Sequence, residues 1–358
     1  MALNTFKQNS PDTLRWHWEL GEGELLKEFF EYLWFDGIFT GDDGDYYLRV
    51  GPATSQPTGC FGIDHGGIPT YGFDLVLPNG KVYDHTQIYK PEEFKEAEFG
   101  GYWGDNALLA GKMNEKGEVT EYQVKFDING VSCDLTCIPE TKWGCQFVHA
   151  DHGYSYFHPK KNRAMGWWPL IPRADVTGTV TFDGKTVNLK GSAYLDKQVS
   201  NKEETFGGSG QAWWTWGHFW AGPYTASFTD SAPTAHYKYR HFSPLVMWKN
   251  GEMNFASFDF VNYIEEYGID EVTDKFYPRV MSMRAIDGST EVYAQITNGI
   301  ITEVAVTQLD YMKYVRQIAD IDLQVYHHGE LVDQQKGKIL VEYGAGAHYM
   351  PWDKIDAK

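Results

Sequence analysis

The sequence predicts an all-β protein made of two antiparallel β-barrel or sandwich domains with few short helices. Aromatic residues make up 16% of its 358 residues, and it holds 37 glycines. Tyr, Phe and Trp favour strands, whereas Gly favours tight turns. Asn-Gly or Asp-Gly pairs also separate alternating apolar runs, as in VKFDINGVSCDLT, VTFDGKTVNL and MWKNGEMNFASF. This pattern is typical of hairpins with two-residue turns.

The predicted strands follow from the alternation on either side of these turns. In VTGTVTFDGKTVNL, Val176, Val180 and Phe182 share one face before the Asp183-Gly184 pair, and Val187 follows it. Further turns are predicted at Asn79-Gly80, Asp287-Gly288, Asn298-Gly299 and His328-Gly329.

Helical patterns are few. The run KPEEFKEAEFGG has Pro91 near its start, glutamates in its first turn and Gly100 at its end, which predicts a short helix. The run GELLKEFFEYLWF fits a helix or a strand equally well, and residues 307–344 predict strands.

The length exceeds that of one average domain. The charged and glycine-rich run NKEETFGGSG, from Asn201 to Gly210, separates two sets of predicted strands. We therefore predict an N-terminal β domain at residues 1–205 and a C-terminal β-barrel domain at residues 206–358.

Charge and composition limit the classes of partner that we expect for this protein. The 49 acidic and 31 basic residues give a formal charge of −18, which repels phosphate backbones and argues against nucleic acid. No apolar run is long enough for a secretory signal or a membrane span. The four cysteines form no C-x-x-C pair, so we expect reduced, buried thiols in a cytoplasmic protein. The oligomeric state stays open.

Motifs for cofactor chemistry do not occur in the sequence. It contains no G-x-G-x-x-G in a βαβ context, no P-loop, no G-x-S-x-G and no H-E-x-x-H. We therefore expect no cofactor and no metal.

The stretch AWWTWGHFWAGPY is the densest aromatic run. As a strand it places Trp214, Trp216, His218 and Trp220 on one face. Two interpretations stay open, namely a core packed on both sides or a face that lines a cavity. His218 among the tryptophans favours the cavity, because ligand sites use a few polar groups for orientation.

Two other polar groups have open interpretations. Asp196 fits either a solvated strand-end carboxylate or an acid in an apolar cleft, where its pKa would rise. Lys197 fits a surface lysine or a hydrogen-bond donor to a carbonyl. In FVHADHGYSYFHP, His152 and Tyr154 fit a binding site or a structural role, and a metal site there has weak support.

Several short motifs are shared with a known family. They are Pro172, Gly178, Asp183-Gly184, Gly191, Tyr194 and Asp196, then W-x-W-G at Trp214 to Gly217 and G-P-Y at Gly222 to Tyr224, with an early Trp34-Phe35-Asp36 and a closing run around Glu342. In these the chain resembles the lipocalin-like proteins that include carotenoid 1,2-hydratases (hydroxyneurosporene synthase-like) and decalin-forming Diels-Alderases. The resemblance implies two lipocalin-like domains.

One departure bears on the chemistry. Members of that family often carry His-Asp-His-Asn-Trp-Gly where this chain has Leu195 to Ser200. Asp196 is kept, but both histidines are absent, which argues against hydratase chemistry in particular.

The resemblance and the aromatic run together predict a cofactor-independent cyclase or isomerase, similar to a Diels-Alderase. It would fold a hydrophobic polyketide or terpenoid intermediate in an aromatic pocket between the two domains. The predicted catalytic residues are Asp196 and His218, and the predicted substrate contacts are Trp34, Asp36, Tyr194, Trp216, Tyr224, His152 and Tyr154. Alternatives are an acid-catalysed polyene hydratase or double-bond isomerase, a lipophilic-ligand carrier and a glycan-active enzyme.

Overall fold

The structure is a computed structural model that describes residues 6–8, 16, 30–55, 68–141, 145–147, 156–158, 163–200, 211–233, 242–270, 275–306 and 312–346. Within these ranges the regular structure is almost entirely antiparallel strand, so the predicted all-β class is confirmed. Backbone proximity divides the chain into an N-terminal unit, Lys7–Glu203, and a C-terminal unit that holds Glu204–Lys358 together with Met1–Phe6. The predicted linker at 201–210 lies outside the described residues.

The first fourteen described strands are numbered in chain order. They are β1 (Phe6–Gln8), β2 (Phe30–Gly41), β3 (Gly44–Ser55), β4 (Thr70–Val76), β5 (Val82–Ile88), β6 (Phe94–Glu96), β7 (Phe99–Trp103), β8 (Ala107–Met113), β9 (Val119–Ile128), β10 (Val131–Pro139), β11 (Cys145–Phe147), β12 (Tyr156–His158), β13 (Arg163–Phe182) and β14 (Lys185–Ser200). One curled sheet has the order β5-β4-β3-β2-β14-β13-β10-β9-β8-β7-β6, with β12 beside β13, and β1 pairs with β11.

The C-terminal unit forms a second curled sheet. Its strands are β15 (Gln211–Ala221), β16 (Tyr224–Pro233), β17 (Leu245–Lys249), β18 (Glu252–Ser257), β19 (Asp259–Asp270), β20 (Lys275–Asp287), β21 (Thr290–Val306), β22 (Met312–His327) and β23 (Glu330–Gly346). Their order in the sheet is β18-β17-β16-β15-β23-β22-β21-β20-β19.

Large aromatic side chains fill the core of the N-terminal unit. Phe73 stacks on Phe126 with ring centroids 4.7 Å apart, and Tyr71 meets Trp103 edge-on at 5.6 Å. The Trp103 indole also donates to the backbone oxygen of Ala53 at 2.7 Å. Because these rings pack on one another, one face of the sheet is occupied by the protein itself.

Most predicted turns are confirmed. Hairpins turn at Asn129-Gly130, Asp183-Gly184, Asn250-Gly251 and His328-Gly329, and the first residue of each pair has a φ of 49–52°. The β20–β21 hairpin turns one residue later than predicted, at Gly288 and Ser289.

The hairpin predicted at Asn298-Gly299 is wrong. β21 continues through both residues, and its register against β22 shifts between Thr297 and Ile300. Asn298 has a φ of 58°, and its amide donates to Asp320 at 3.0 Å. The pair forms a β-bulge, because a bulge also accepts the positive φ that Asn-Gly favours in turns.

The predicted short helix shrinks to one turn. A 3-10 turn covers Pro91–Glu93, and the chain then enters β6. In the ambiguous run before it, the part from Phe30 onward is a strand, since β2 pairs with β14 on one side and with β3 on the other. Residues 23–29 of that run lie outside the described residues.

Candidate functional site

Asp196 is buried at the centre of a hydrogen-bonded cluster in the N-terminal unit. Its Oδ2 accepts a hydrogen bond from the Trp167 indole at 2.6 Å and from the Tyr194 hydroxyl at 3.0 Å. None of the Asp196 side chain is exposed, so the interpretation as a solvated strand-end carboxylate is wrong. Both donors converge on one oxygen, so the Asp196 side chain serves as a hydrogen-bond acceptor in this cluster.

The strand pairing explains why these side chains meet. Asp196 on β14 lies opposite Pro169 on β13 and opposite Trp34 on β2. The β13–β14 register shifts twice between Pro169 and Ala174. Such bulges bend a strand and redirect its side chains, here next to the segment that carries Trp167.

A second buried carboxylate lies on the neighbouring strand. Asp36 pairs with Tyr194 across β2 and β14, and its Oδ2 accepts a hydrogen bond from the Trp34 indole at 2.5 Å. The Arg49 guanidinium is 5.1 Å from the centre of the Trp34 ring and forms a close ion pair with Asp74. The two contacts of the guanidinium therefore fix the orientation of Trp34, and the indole in turn fixes Asp36.

Gly51 leaves the space in which the Arg49 side chain lies. A Cβ at Gly51 would be 2.7 Å from the Arg49 Nη1, whereas a Cβ at its cross-strand partner Gly72 would be 3.0 Å from Thr86 Oγ1 and 3.8 Å from the His85 backbone oxygen. Gly51→Ala should displace the guanidinium from Trp34 and cost about 1–2 kcal/mol of unfolding free energy.

This prediction can be checked by ¹⁹F NMR of protein labelled with 5-fluorotryptophan. The Trp34 resonance, assigned with Trp34→Phe, should shift in Gly51→Ala and in Arg49→Met. Gly72→Ala is the matched control and should leave it in place. A Trp34 resonance that is the same in all three variants would contradict the stacking role of Arg49.

Lys197 points away from Asp196 and is also buried. Its Nζ lies 2.9 Å from Glu31 Oε1 and 4.8 Å above the Trp16 ring, and both charged side chains are at most 1% exposed. The Trp16 indole donates to Gly100 at 3.0 Å. The interpretation of Lys197 as a surface lysine is therefore wrong; it belongs to an ion pair inside the N-terminal unit.

The tryptophan face predicted in the C-terminal unit has the expected alternation. The His218 ring lies 5.7 Å from Trp216 and 5.0 Å from Trp220, and His218 is fully buried. Phe219, which points the opposite way, belongs to the apolar core of this unit. Four buried hydroxyl residues lie opposite this aromatic row on β16, namely Thr225, Ser227, Thr229 and Ser231.

An ion pair and a tyrosine hydroxyl adjoin the same face. Glu342 lies opposite Trp216, accepts a short hydrogen bond from Tyr314 and pairs with the Arg316 Nε at 3.3 Å. Arg316 is 2% exposed, and its Nε also donates to the Tyr314 hydroxyl at 3.1 Å. A guanidinium is thus buried beside the tryptophans only together with a carboxylate partner.

Tyr224 lies on the opposite side of its sheet from His218. Its ring belongs to the apolar core, while its hydroxyl donates to Asp333 at 2.9 Å and accepts from Lys249 at 2.8 Å. Burial is the main cause that raises its pKa above the ordinary tyrosine value, so the hydroxyl stays protonated near neutral pH. The structure does not bring Tyr224 to the Trp216 and His218 face.

The N-terminal cluster thus contains four of the predicted residues, Trp34, Asp36, Tyr194 and Asp196. Reasoning from sequence missed Trp167, Arg49 and Asp74. Trp167 lies in the run RAMGWWPLIP, where a tryptophan before a proline-rich strand was the available cue. The predicted contacts His152 and Tyr154 lie outside the described residues.

Two cysteines whose side chains the structure describes are buried in the N-terminal unit. Cys133 and Cys137 are buried free thiols, and burial raises the pKa of both well above the ordinary value. Within the described ranges no group of three or more His, Cys, Asp or Glu side chains is placed to hold a metal ion.

In the same part of the chain no helix has the length and apolar character needed to cross a membrane.

The comparisons with known proteins found similarity among solved structures. No family model matches the sequence, and no curated protein matches it. Among solved structures, the chain is similar to CghA in complex with Sch210972, with a TM-score of 0.63 and 11% identity over 96% of this chain and 98% of that one.

Two further solved structures are also similar over most of the chain. A protein from Nitrosomonas europaea described as AttH has a TM-score of 0.61 and 14% identity, covering 92% of this chain and 96% of its own. Kievitone hydratase from Nectria haematococca has a TM-score of 0.57 and 12% identity, covering 94% and 95%. The lipocalin-like fold that the sequence resemblance implied is therefore confirmed.

Proposed function

We propose that the protein is a cofactor-independent enzyme that cyclises or isomerises a hydrophobic polyketide or terpenoid intermediate. The observation that carries the proposal is Asp196, a fully buried carboxylate held by Trp167 and Tyr194 on an aromatic sheet face. An ionisable group placed in such surroundings is characteristic of functional sites.

This arrangement meets the main requirement of a ring closure. A flexible polyene must be held in a reactive conformer, and restricting its freedom can lower the barrier by several kcal/mol. Aromatic side chains supply a rigid apolar surface for that purpose. Asp196 supplies a fixed negative charge or acceptor that can stabilise charge as it develops in the transition state.

The similar structures support an enzyme of this kind. CghA is seen with Sch210972, and another neighbour is a kievitone hydratase. The second candidate function, acid-catalysed hydration or double-bond isomerisation, draws on that hydratase neighbour and on the retained Asp196. The two histidines that members of the resembling family often carry beside this aspartate are replaced here by Leu195 and Lys197, so we place hydration second.

The carrier alternative receives less support from the N-terminal unit. A lipocalin-type carrier holds its ligand in a barrel interior, and small barrels otherwise fill that space with side chains. Here Phe73, Phe126, Tyr71 and Trp103 fill the core.

The proposal is tested by incubating the purified protein without cofactor. One arm uses a linear polyene precursor of a decalin, and a second arm uses kievitone. We expect a product of unchanged mass in the first arm at a rate above buffer, whereas a hydratase would add one water to kievitone. Product ratios equal to buffer in the first arm would contradict the cyclase or isomerase assignment.

A further inference from the structure

Gln198 is the next residue along β14 on the same face as Asp196. Two residues of a strand span about 6.6 Å, so the two side chains are neighbours on that face. Gln198 lies opposite Trp167 on β13 and opposite Tyr32 on β2. Gln198 therefore lies between two aromatic residues across the sheet, one of which donates to Asp196.

The side-chain oxygen of Gln198 has no hydrogen-bond donor. Oε1 is shielded from solvent, and within the described chain no group donates to it. Buried oxygens of this kind are few in native proteins, and those that persist have a cause such as a ligand or an ordered water.

We propose that Gln198 is a substrate-recognition residue that accepts a hydrogen bond from a hydroxyl or N–H group of the substrate. The inference rests on the proposed function and narrows its substrate class. The substrate is a largely apolar molecule that carries a hydrogen-bond donor a few ångströms from the group that contacts Asp196. The amide accepts this donor while the rings of Trp167 and Tyr32 flank the adjoining apolar part.

The sign of a stability change separates this role from a structural one. Gln198→Leu removes an oxygen that lacks a donor, so it should raise the melting temperature of the ligand-free protein. Gln317 provides the matched control. Its Oε1 also lacks a donor in the described chain, but its Nε2 donates to Pro278 at 2.8 Å. Gln317→Leu should therefore lower the melting temperature.

Binding is measured with 4-hexylphenol and its methyl ether, which differ in the donor, by quenching of tryptophan fluorescence. The unsubstituted protein should bind the phenol about tenfold more tightly than the ether, because the ether leaves the amide oxygen without a donor. Gln198→Leu should bind both about equally. Gln198→Met serves as a second apolar variant if the leucine variant does not fold.

Three results would overturn the inference. They are an equal preference for the phenol in all variants, no binding of either probe to the unsubstituted protein, and an ordered water as the sole partner of Oε1 in a crystal with 4-hexylphenol. None of these measurements needs turnover, so a failed cyclisation assay would count against the proposed function alone.

Discussion

Replacing Lys197 with Met is expected to destabilise the N-terminal unit by about 3–5 kcal/mol. The substitution leaves the Glu31 carboxylate buried without the ammonium that lies 2.9 Å from it. It also removes the cation above the Trp16 ring. A buried charge without its counterion is far more costly than the pair itself is stabilising.

The double variant Glu31→Leu/Lys197→Met should recover most of that loss, because two apolar side chains can replace a buried ion pair at little cost. The free energy of unfolding of this unit alone is measured by urea unfolding, with hydrogen exchange in peptides from β2 and β14 as the readout. Lys125→Met is the control, since Lys125 pairs with Asp134 at 2.7 Å but is 55% exposed. Its loss should cost less than about 1 kcal/mol. A Lys197→Met variant as mild as this control would contradict the prediction.

Local patterns were sufficient to predict which residues share a face. The alternation placed Val176, Val180 and Phe182 together, and all three are buried in one core. It also placed Trp216, His218 and Trp220 together, and their rings are in contact. A period of two residues is a property of the strand itself and needs no knowledge of the partner strand.

Features that depend on a distant strand could not be predicted. From the local sequence Lys197 fits a surface lysine, because only the pairing of β14 with β2 places Glu31 beside it. The Asn298-Gly299 pair forms a bulge rather than a turn because β22 continues alongside β21 past it. In both cases the deciding contact comes from the sheet register, which the local sequence does not encode.

The contacts of the candidate site also include some that the sequence indicated and some that depend on the pairing of distant strands. The family resemblance pointed to Asp196 and Tyr194, and the structure shows that they are hydrogen-bonded to each other. Nothing in the local sequence linked Trp167 to Asp196, since that contact depends on the bulged register of β13 against β14.

Asp196→Asn is expected to lower the rate of cofactor-free product formation at least about a hundredfold while ligand binding persists. Asparagine keeps the size of the side chain and one oxygen that can accept from Trp167 and Tyr194, so the fold should be retained. It cannot carry the negative charge that the proposed reaction uses in its transition state. The expected signature is a fall in kcat with little change in KM.

Two further aspartates make the result specific. Asp134→Asn changes a half-exposed carboxylate of the same sheet, and we expect it to leave the rate unchanged. Asp36→Asn alters the carboxylate that Trp34 orients, and we expect it to raise KM more than it lowers kcat, because Asp36 is a proposed substrate contact.

If Asp196→Asn kept more than about a third of the original rate, Asp196 would not be the reactive carboxylate. The charge requirement would then have to be met elsewhere, and the next residue to substitute would be His218, the other predicted catalytic residue.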